Sequence, residues 1–138
     1  MDTFVDTGAW YASVVPSDPR HRELLEWLLR NPARLVTSDY VVDETLTLLR
    51  MRGERTRSVD LGRQFFDLRT VAVHRVDDSD LRRAWELFRD HPTRDWSFTD
   101  CTSRAVIERF HFKRALTFDH HFGQFGIVQL VPAPSLRT

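Results

Sequence analysis

The chain has 138 residues, of which 41% are hydrophobic and 29% charged, a composition typical of one globular domain and not of a disordered or fibrous protein. Its 20 basic and 20 acidic residues cancel, so binding to nucleic acid or a membrane surface would need a local basic patch. The lone cysteine, Cys101, excludes an internal disulfide and a cysteine-based zinc site. The sequence has no membrane-spanning apolar run and no secretory signal at its start, which predicts a cytoplasmic protein.

Short apolar segments alternate with amphipathic segments along the chain. The pattern predicts five strands, at residues 3–5, 34–37, 71–73, 115–118 and 127–130. Helices are predicted from Pro19 to the Asn31-Pro32 stop, and over residues 38–52, 55–68, 77–90 and 98–110. Asp6-Thr7-Gly8 is predicted to be a tight turn. The alternation predicts an α/β domain over residues 1–131, with a mainly parallel sheet and a C-terminal tail at 132–138.

Two predicted helices carry apolar residues at the spacing of a core-facing stripe. In the first helix these are Leu24, Leu25, Leu28 and Leu29. In the helix over residues 77–90 they are Leu81, Ala84, Trp85 and Phe88. We expect both stripes to be buried against the sheet.

Acidic residues stand where predicted strands end. Asp6 follows the first strand and Asp119 the fourth, and active sites of open parallel sheets lie at the carboxyl ends of strands. Asp is also common in turns and helix caps, so a structural role for either residue stays open. On the second helix, Glu44 shares a stripe with apolar residues and Asp43 faces solvent; a buried Glu–Arg pair is the alternative.

Asp100 is the fourth candidate acid. Ser97-Phe98-Thr99-Asp100 resembles a capping box, a structural role that is open beside the functional one. Four converging carboxylates would repel each other unless a cation neutralised them, and their hard oxygen atoms suit Mg²⁺ or Mn²⁺. Such an ion can activate water for attack on a phosphodiester. Spacing in the sequence does not establish that the four meet.

Three stretches resemble the PIN-domain family and, within it, the VapC-type ribonuclease toxins. They are Phe4-Val5-Asp6-Thr7-Gly8-Ala9-Trp10-Tyr11-Ala12, Val42-Asp43-Glu44-Thr45-Leu46-Thr47-Leu48-Leu49, and Asp95 to Ser103 continuing to Ala115-Leu116-Thr117-Phe118-Asp119-His120-His121-Phe122. The resemblance implies a three-layer α/β/α fold with a five-stranded sheet of order 3-2-1-4-5. It also implies Mg²⁺ or Mn²⁺ held by Asp6, Glu44, Asp100 and Asp119, endoribonuclease activity, a homodimer, and a cognate VapB-type antitoxin.

Further candidates lie near these acids in the sequence. Thr7, Ser97 and Thr117 could hydrogen-bond a carboxylate or a metal-bound water, although a cap or an ordinary strand position is an alternative. Asp95 is a possible additional acid. The candidates for RNA binding are Arg50, Arg52 and Arg55 in a basic stretch, for which a solvated helix junction is the alternative. Trp10 and Trp96 are stacking candidates if they are exposed, but burial in the core is the more common fate of aromatic residues. His120 and His121 are expected to point apart and not to share an ion.

Other functions remain open beside a metal-dependent endoribonuclease. One is a catalytically silent PIN-like module that binds a partner protein, and another is a nuclease that acts on DNA. A phosphatase with an Asp nucleophile is disfavoured because Gly8 stands where a second Asp would be needed. A receiver domain is disfavoured because the only lysine, Lys113, precedes its strand.

Overall fold

A computed structural model describes residues 2–126 and 129–131 of the chain. The strands are β1 (Asp2–Val5), β2 (Arg34–Ser38), β3 (Ala72–His74), β4 (Arg114–Leu116) and β5 (Gln129–Val131). The helices are α1 (Thr7–Val14), α2 (His21–Arg30), α3 (Asp39–Met51), α4 (Arg55–Phe66), α5 (Asp78–Asp90), α6 (Phe98–Phe110) and α7 (His121–Phe125). The predicted tail at 132–138, and residues 127 and 128 of the fifth predicted strand, lie outside the described residues.

The strands form one parallel sheet in the order β3-β2-β1-β4-β5, as the resemblance implied. The pairing of β1 with β4 sets Val5 opposite Leu116 and Phe4 opposite Ala115. Both faces of a parallel sheet are covered by crossover helices, which explains why β1 reads as an apolar run and not as an alternating strand. Phe4 is fully buried and packs against Phe112 and Phe122. The sheet therefore runs through the core.

Side-chain caps fix where the helices α3 and α5 begin. The Ser38 hydroxyl accepts a hydrogen bond from the amide of Val41 at the start of α3. A reciprocal capping box starts α5 at Asp77 and Asp80, and Asp80 also binds Arg109 of α6 with an oxygen–nitrogen distance of 2.7 Å. These caps satisfy amide groups that have no partner within a helix, so they position the helix ends around the sheet.

The structure corrects the prediction of a tight turn after β1. Thr7 and Gly8 form the first turn of α1, and Asp6 is its N-cap. The short helix α7 was not predicted either. Ala9, Trp10 and Ala12 of α1 are buried, so the helix lacks the alternation of apolar and polar faces from which helices are predicted.

The two predicted apolar stripes are wrong in part. On α2, Leu24 is buried but Leu29 is 84% exposed. On α5, Ala84 is buried but Trp85 is 46% exposed and stacks on the partly exposed Phe88. Helical spacing shows which residues share a side, but the neighbouring elements decide how much of that side is covered. Across the described residues, none of the helices combines the length and apolar character needed to cross a membrane.

Candidate functional site

Two of the predicted acids meet at the carboxyl ends of the adjacent strands β1 and β4. Asp6 follows β1 directly, and its amide donates a hydrogen bond to the Leu116 carbonyl oxygen at 3.2 Å. The predicted fourth strand ended at residue 118, but β4 ends at Leu116, so Asp119 lies three residues beyond it. The parallel pairing of β1 with β4 therefore brings together two acids that are distant in the sequence.

Thr117 connects these two acids through one hydroxyl group. Its Oγ1 donates a hydrogen bond to Oδ2 of Asp6 at 3.1 Å and accepts one from the Asp119 amide at 3.0 Å. Thr117 is 3% exposed, so this hydroxyl is shielded from water. It orients the Asp6 carboxylate and fixes the backbone at Asp119.

Asp100 is held at the start of α6 by the capping box that the sequence predicted. The Ser97 hydroxyl accepts a hydrogen bond from the Asp100 amide, and Oδ2 of Asp100 accepts one from the Ser97 amide, each at 3.0 Å. Asp100 is 8% exposed. The cap therefore occupies one carboxylate oxygen and fixes the rotamer of the side chain. The structural and functional roles considered for Ser97 and Asp100 are compatible.

The three aspartates affect each other's protonation. Burial and, to a smaller extent, the charges of Asp100 and Asp119 raise the pKa of Asp6 to about 7, although hydrogen bonds from the Thr7 backbone and the Thr117 hydroxyl oppose the rise. The pKa of Asp100 is also raised, mainly by burial and next by the charge of Asp119, while hydrogen bonds from Ser97 and the nearby His121 oppose the rise. Because the negative charges of neighbouring carboxylates repel each other, such a cluster favours the binding of a proton or a metal cation.

Glu44 lies on α3, which packs against both α1 and α6. Its side chain is half-buried, whereas Asp43 is exposed, as the spacing on the helix predicted. Glu44 is not among the principal groups that shift the pKa of Asp6 or Asp100. Asp6, Asp100 and Asp119 thus form the interacting trio, and Glu44 lies on the helix beside them. That these four residues act in catalysis remains a prediction.

His121 belongs to the site, which the sequence reasoning missed. Its Nδ1 atom lies 2.9 Å from Oδ1 of Asp119 and 3.5 Å from Oδ2 of Asp100. The backbone amide of His121 donates to Oδ1 of Asp119 at 2.9 Å, and this turn folds the ring back toward the acids. An Asp two residues before a His is the signal for such a turn.

The two adjacent histidine rings do not point apart as predicted. Their centroids are 4.3 Å apart, and Asp119, His120 and His121 can offer ligand atoms that all lie within 4.8 Å of each other. The two side chains differ in burial, because His120 is 79% exposed and His121 only 16% exposed. His121 is therefore the more buried histidine, and it is the one that lies near both Asp100 and Asp119.

The donor set fits a divalent cation. Carboxylate oxygens dominate it, and these are the ligands that Mg²⁺ and Mn²⁺ prefer. Three buried polar atoms have no hydrogen-bond partner among the described residues: Oγ1 of Thr7, Oγ1 of Thr45 and Nδ1 of His121. Thr7 follows Asp6 directly and is 7% exposed.

The two tryptophans considered as stacking candidates are buried, which is the alternative that the sequence left open, so they offer no stacking platform. Trp10 is 5% exposed, packs edge-on against Phe65, and donates its indole N–H to the Thr37 hydroxyl. Trp96 is 6% exposed and donates its indole N–H to Gln124 at 2.7 Å. Their amphipathic rings satisfy both core packing and hydrogen bonding, which is the common fate of buried tryptophan.

The three candidate arginines are exposed at the junction of α3 and α4. Arg50 lines a groove of about 400 Å³ between these helices, and the guanidinium of Arg52 lies 5.0 Å from the centre of the Tyr11 ring. Arg55 begins α4. Asp95 is exposed in the loop before α6. These arginines are accessible to a phosphate backbone, and their role stays a prediction.

Comparison with known proteins identifies the family. Residues 3–128 match the PIN domain. The chain is 34% identical over 132 residues to the 23S rRNA-specific endonuclease VapC20 of Mycobacterium tuberculosis strain H37Rv. This match covers 94% of this chain and 98% of that relative. The crystal structure of M. tuberculosis VapC20, described as a sarcin-ricin loop cleaving toxin, is similar with a TM-score of 0.84 and 32% identity, over 91% of this chain and 96% of that chain.

A more distant structure shares the fold alone. VapBC2 from Rickettsia felis, bound to a DNA fragment from its promoter, is similar with a TM-score of 0.65 and 12% identity, over 94% of this chain and 97% of that chain. The sequence match to the PIN domain and the identity to VapC20 extend over nearly the whole chain. The chain therefore belongs to the PIN-domain family, among its VapC-type members.

Proposed function

We propose that this VapC-type protein is a metal-dependent endoribonuclease that hydrolyses RNA phosphodiesters. The observation that carries the proposal is the trio of Asp6, Asp100 and Asp119, in which burial and mutual repulsion raise the pKa of Asp6 to about 7. A carboxylate that is costly to ionise alone becomes a strong ligand once a cation neutralises its neighbours. The 34% identity to an RNA endonuclease over nearly the whole chain supports the same conclusion.

Mg²⁺ or Mn²⁺ would be held by Asp6, Asp100 and Asp119, with Glu44 as the fourth acid. Such an ion, when bound, supplies an activated water for attack on phosphorus and stabilises the leaving oxygen, giving a 5′-phosphate and a 3′-hydroxyl. Thr117 keeps an oxygen of Asp6 oriented, and the Ser97 amide does the same for Asp100. These hydrogen bonds preorganise the carboxylates, so less reorganisation is needed when substrate binds.

We infer that the substrate is the sarcin-ricin loop of 23S rRNA. The support is the name of VapC20, whose identity to this chain extends over 98% of its length. Arg50, Arg52 and Arg55 are exposed and would contact the RNA backbone through their guanidinium groups. Because the net charge of the chain is zero, such a local group of arginines is needed to attract RNA.

We also propose that the protein is the toxin of a VapBC-type pair, acts in the cytoplasm as a homodimer, and is inhibited by a VapB-type antitoxin protein. The support is that its solved relative VapC20 is itself described as a toxin. Co-expression with the protein encoded beside it, followed by size-exclusion chromatography and mass determination, tests the partner and the oligomeric state together.

The experiment that tests the activity is cleavage of labelled RNA by the purified protein. The substrates are a sarcin-ricin loop oligonucleotide, a scrambled hairpin of equal length, and the DNA version of the same loop. Mg²⁺, Mn²⁺ and EDTA are compared, with Asp6→Asn as the inactive variant and Asp43→Asn as the matched acid-to-amide control on the exposed side of α3.

We expect metal-dependent cleavage of the loop by the natural protein and by Asp43→Asn, but not by Asp6→Asn. Cleavage that survives in Asp6→Asn would reject the proposed centre. If the protein cleaves the DNA loop in preference to the RNA loop, the proposed activity would change from ribonuclease to DNA nuclease. If the folded, antitoxin-free protein cleaves none of the substrates but binds a partner protein, the silent interaction module becomes the better description.

A further inference from the structure

We infer that His121 is a direct metal ligand through its Nδ1 atom, which makes the centre a mixed site of oxygen and nitrogen donors that prefers Mn²⁺ to Mg²⁺. This inference rests on the proposed function, because it concerns the same acidic site. It adds a ligand beyond the four acids and states which metal the centre selects.

The position of Nδ1 carries the inference. This atom is buried, yet it has no hydrogen-bond partner among the described residues. It lies 2.9 Å from Oδ1 of Asp119 and 3.5 Å from Oδ2 of Asp100. Two donors that bind one ion at about 2.1 Å and at right angles lie about 3 Å apart. The two distances from Nδ1 are therefore those of a nitrogen and an oxygen ligand that share an ion.

An ion pair between imidazolium and carboxylate is the alternative explanation for the short distance. A buried pair of this kind is stabilised when the N–H points at the acceptor. Here Nδ1 is close to Oδ1 of Asp119 without forming a hydrogen bond, although that oxygen does accept the His121 backbone amide. The ring nitrogen thus points beside its nearest carboxylate and not at it, as expected for two ligands directed at a common third atom.

The turn that carries His121 is fixed at both ends. Thr117 binds the Asp119 amide before the turn, and the side chain of Asp119 binds the His121 amide after it. Phe122, the next residue, is fully buried against Phe4 of β1. The His121 ring is therefore held toward Asp100 and Asp119 by the backbone, which makes it a preorganised donor.

A nitrogen donor changes which ion the site prefers. Mg²⁺ binds oxygen ligands almost exclusively, whereas imidazole binds transition metals, and affinity for a given site rises along that series from Mn²⁺. We expect His121→Gln to weaken Mn²⁺ binding by at least about tenfold and Mg²⁺ binding by less than about threefold.

Pulsed electron paramagnetic resonance of the Mn²⁺-loaded protein tests the inference without any activity measurement. A directly bound imidazole gives a nitrogen-14 coupling to the Mn²⁺ electron spins. We expect this coupling in the natural protein and in His120→Gln, the matched variant of the exposed neighbouring histidine, and we expect its loss in His121→Gln. Free-Mn²⁺ signals in the same samples give the affinities, and competition with Mg²⁺ gives the selectivity.

Bound Mn²⁺ without nitrogen coupling in the natural protein would overturn the inference, and that measurement does not depend on whether any variant folds. Coupling that persists in His121→Gln, or that disappears in His120→Gln alone, would also overturn it. The proposed function is judged separately, by Mn²⁺ binding and RNA cleavage that are both lost in Asp6→Asn. A protein that binds Mn²⁺ and cleaves RNA without nitrogen coupling keeps the function and refutes only the role of His121.

Discussion

Replacing Asp6 by asparagine should inactivate the protein and at the same time stabilise it in the absence of metal. The carboxylate of Asp6 is 5% exposed and lies near the charges of Asp100 and Asp119. An asparagine oxygen can still accept the hydrogen bond from Thr117, so the substitution removes the buried charge and keeps the contact. The gain in stability arises because a buried, repelled charge is costly in the folded state.

The size of the effect follows from the pKa of Asp6, which folding raises from 3.8 to about 7. Below about pH 4 the residue is protonated in both the folded and unfolded states, so its ionisation does not affect stability. Between about pH 4 and pH 7 the unfolded chain releases the proton and the folded protein keeps it, so the free energy of unfolding falls as pH rises. At about 1.4 kcal/mol per pKa unit, the loss reaches about 4 kcal/mol by pH 8.

Urea unfolding in EDTA across this pH range measures the effect, with the natural protein and Asp6→Asn compared at each pH. We expect equal stabilities near pH 4 and an advantage of up to about 4 kcal/mol for Asp6→Asn near pH 8. Saturating Mn²⁺ should restore the stability of the natural protein at high pH and leave the stability of the variant unchanged. If the two stability curves run parallel from pH 4 to pH 8, ionisation of Asp6 does not destabilise the folded protein. The argument for a cation at this site would then fail.

Three further predictions concern single side chains. Glu44→Gln should lower the rate of RNA cleavage at least about 100-fold, whereas Asp43→Asn, at an exposed position, should change it by less than about threefold. Equal losses in the RNA assay would mean that Glu44 is not the residue of α3 that faces the site. Thr117→Val should lower the cleavage rate about tenfold or more, and Thr117→Ser, which retains the hydroxyl, should recover most of it; a full loss in the serine variant would point to packing instead. Asp80→Ala removes the buried carboxylate that binds Arg109 and that completes the capping box of α5, whereas Arg109 keeps its contacts with Asp77 and the Arg75 carbonyl. The substitution should lower the free energy of unfolding by about 2–4 kcal/mol in urea with no effect on Mn²⁺ affinity; an unchanged midpoint would contradict it.

Much of the fold could be predicted because local patterns and the final structure agree. Ser38 and the Ser97–Asp100 pair mark helix starts by hydrogen bonds that form within a few residues, so the sequence alone contains the signal. The pattern placed Asp6 and Asp119 at the carboxyl ends of strands, and the strand order implied by the family resemblance made those strands neighbours. The strand order itself came from the family resemblance and was confirmed.

The features that escaped prediction depend on distant parts of the chain. The sequence could not decide whether Trp10 and Trp96 are exposed or buried, because the residues that contact them, Phe65 and Gln124, are distant along the chain. His121 looks like one of two equivalent histidines, and only the packing of α7 beside α6 brings its ring to Asp100. Periodicity shows which residues share a face, and it contains no information on what packs against that face.

The hydrogen bond between Asp6 and Thr117 joins residues that are 111 positions apart. During synthesis the first acid of the centre leaves the ribosome long before its partners, and β1 stays without β4 until the chain has been made through Leu116. Pairing of parallel strands at such separation is slow and comes late in folding. A nascent chain therefore contains no assembled acidic centre until nearly the whole sequence has been synthesised.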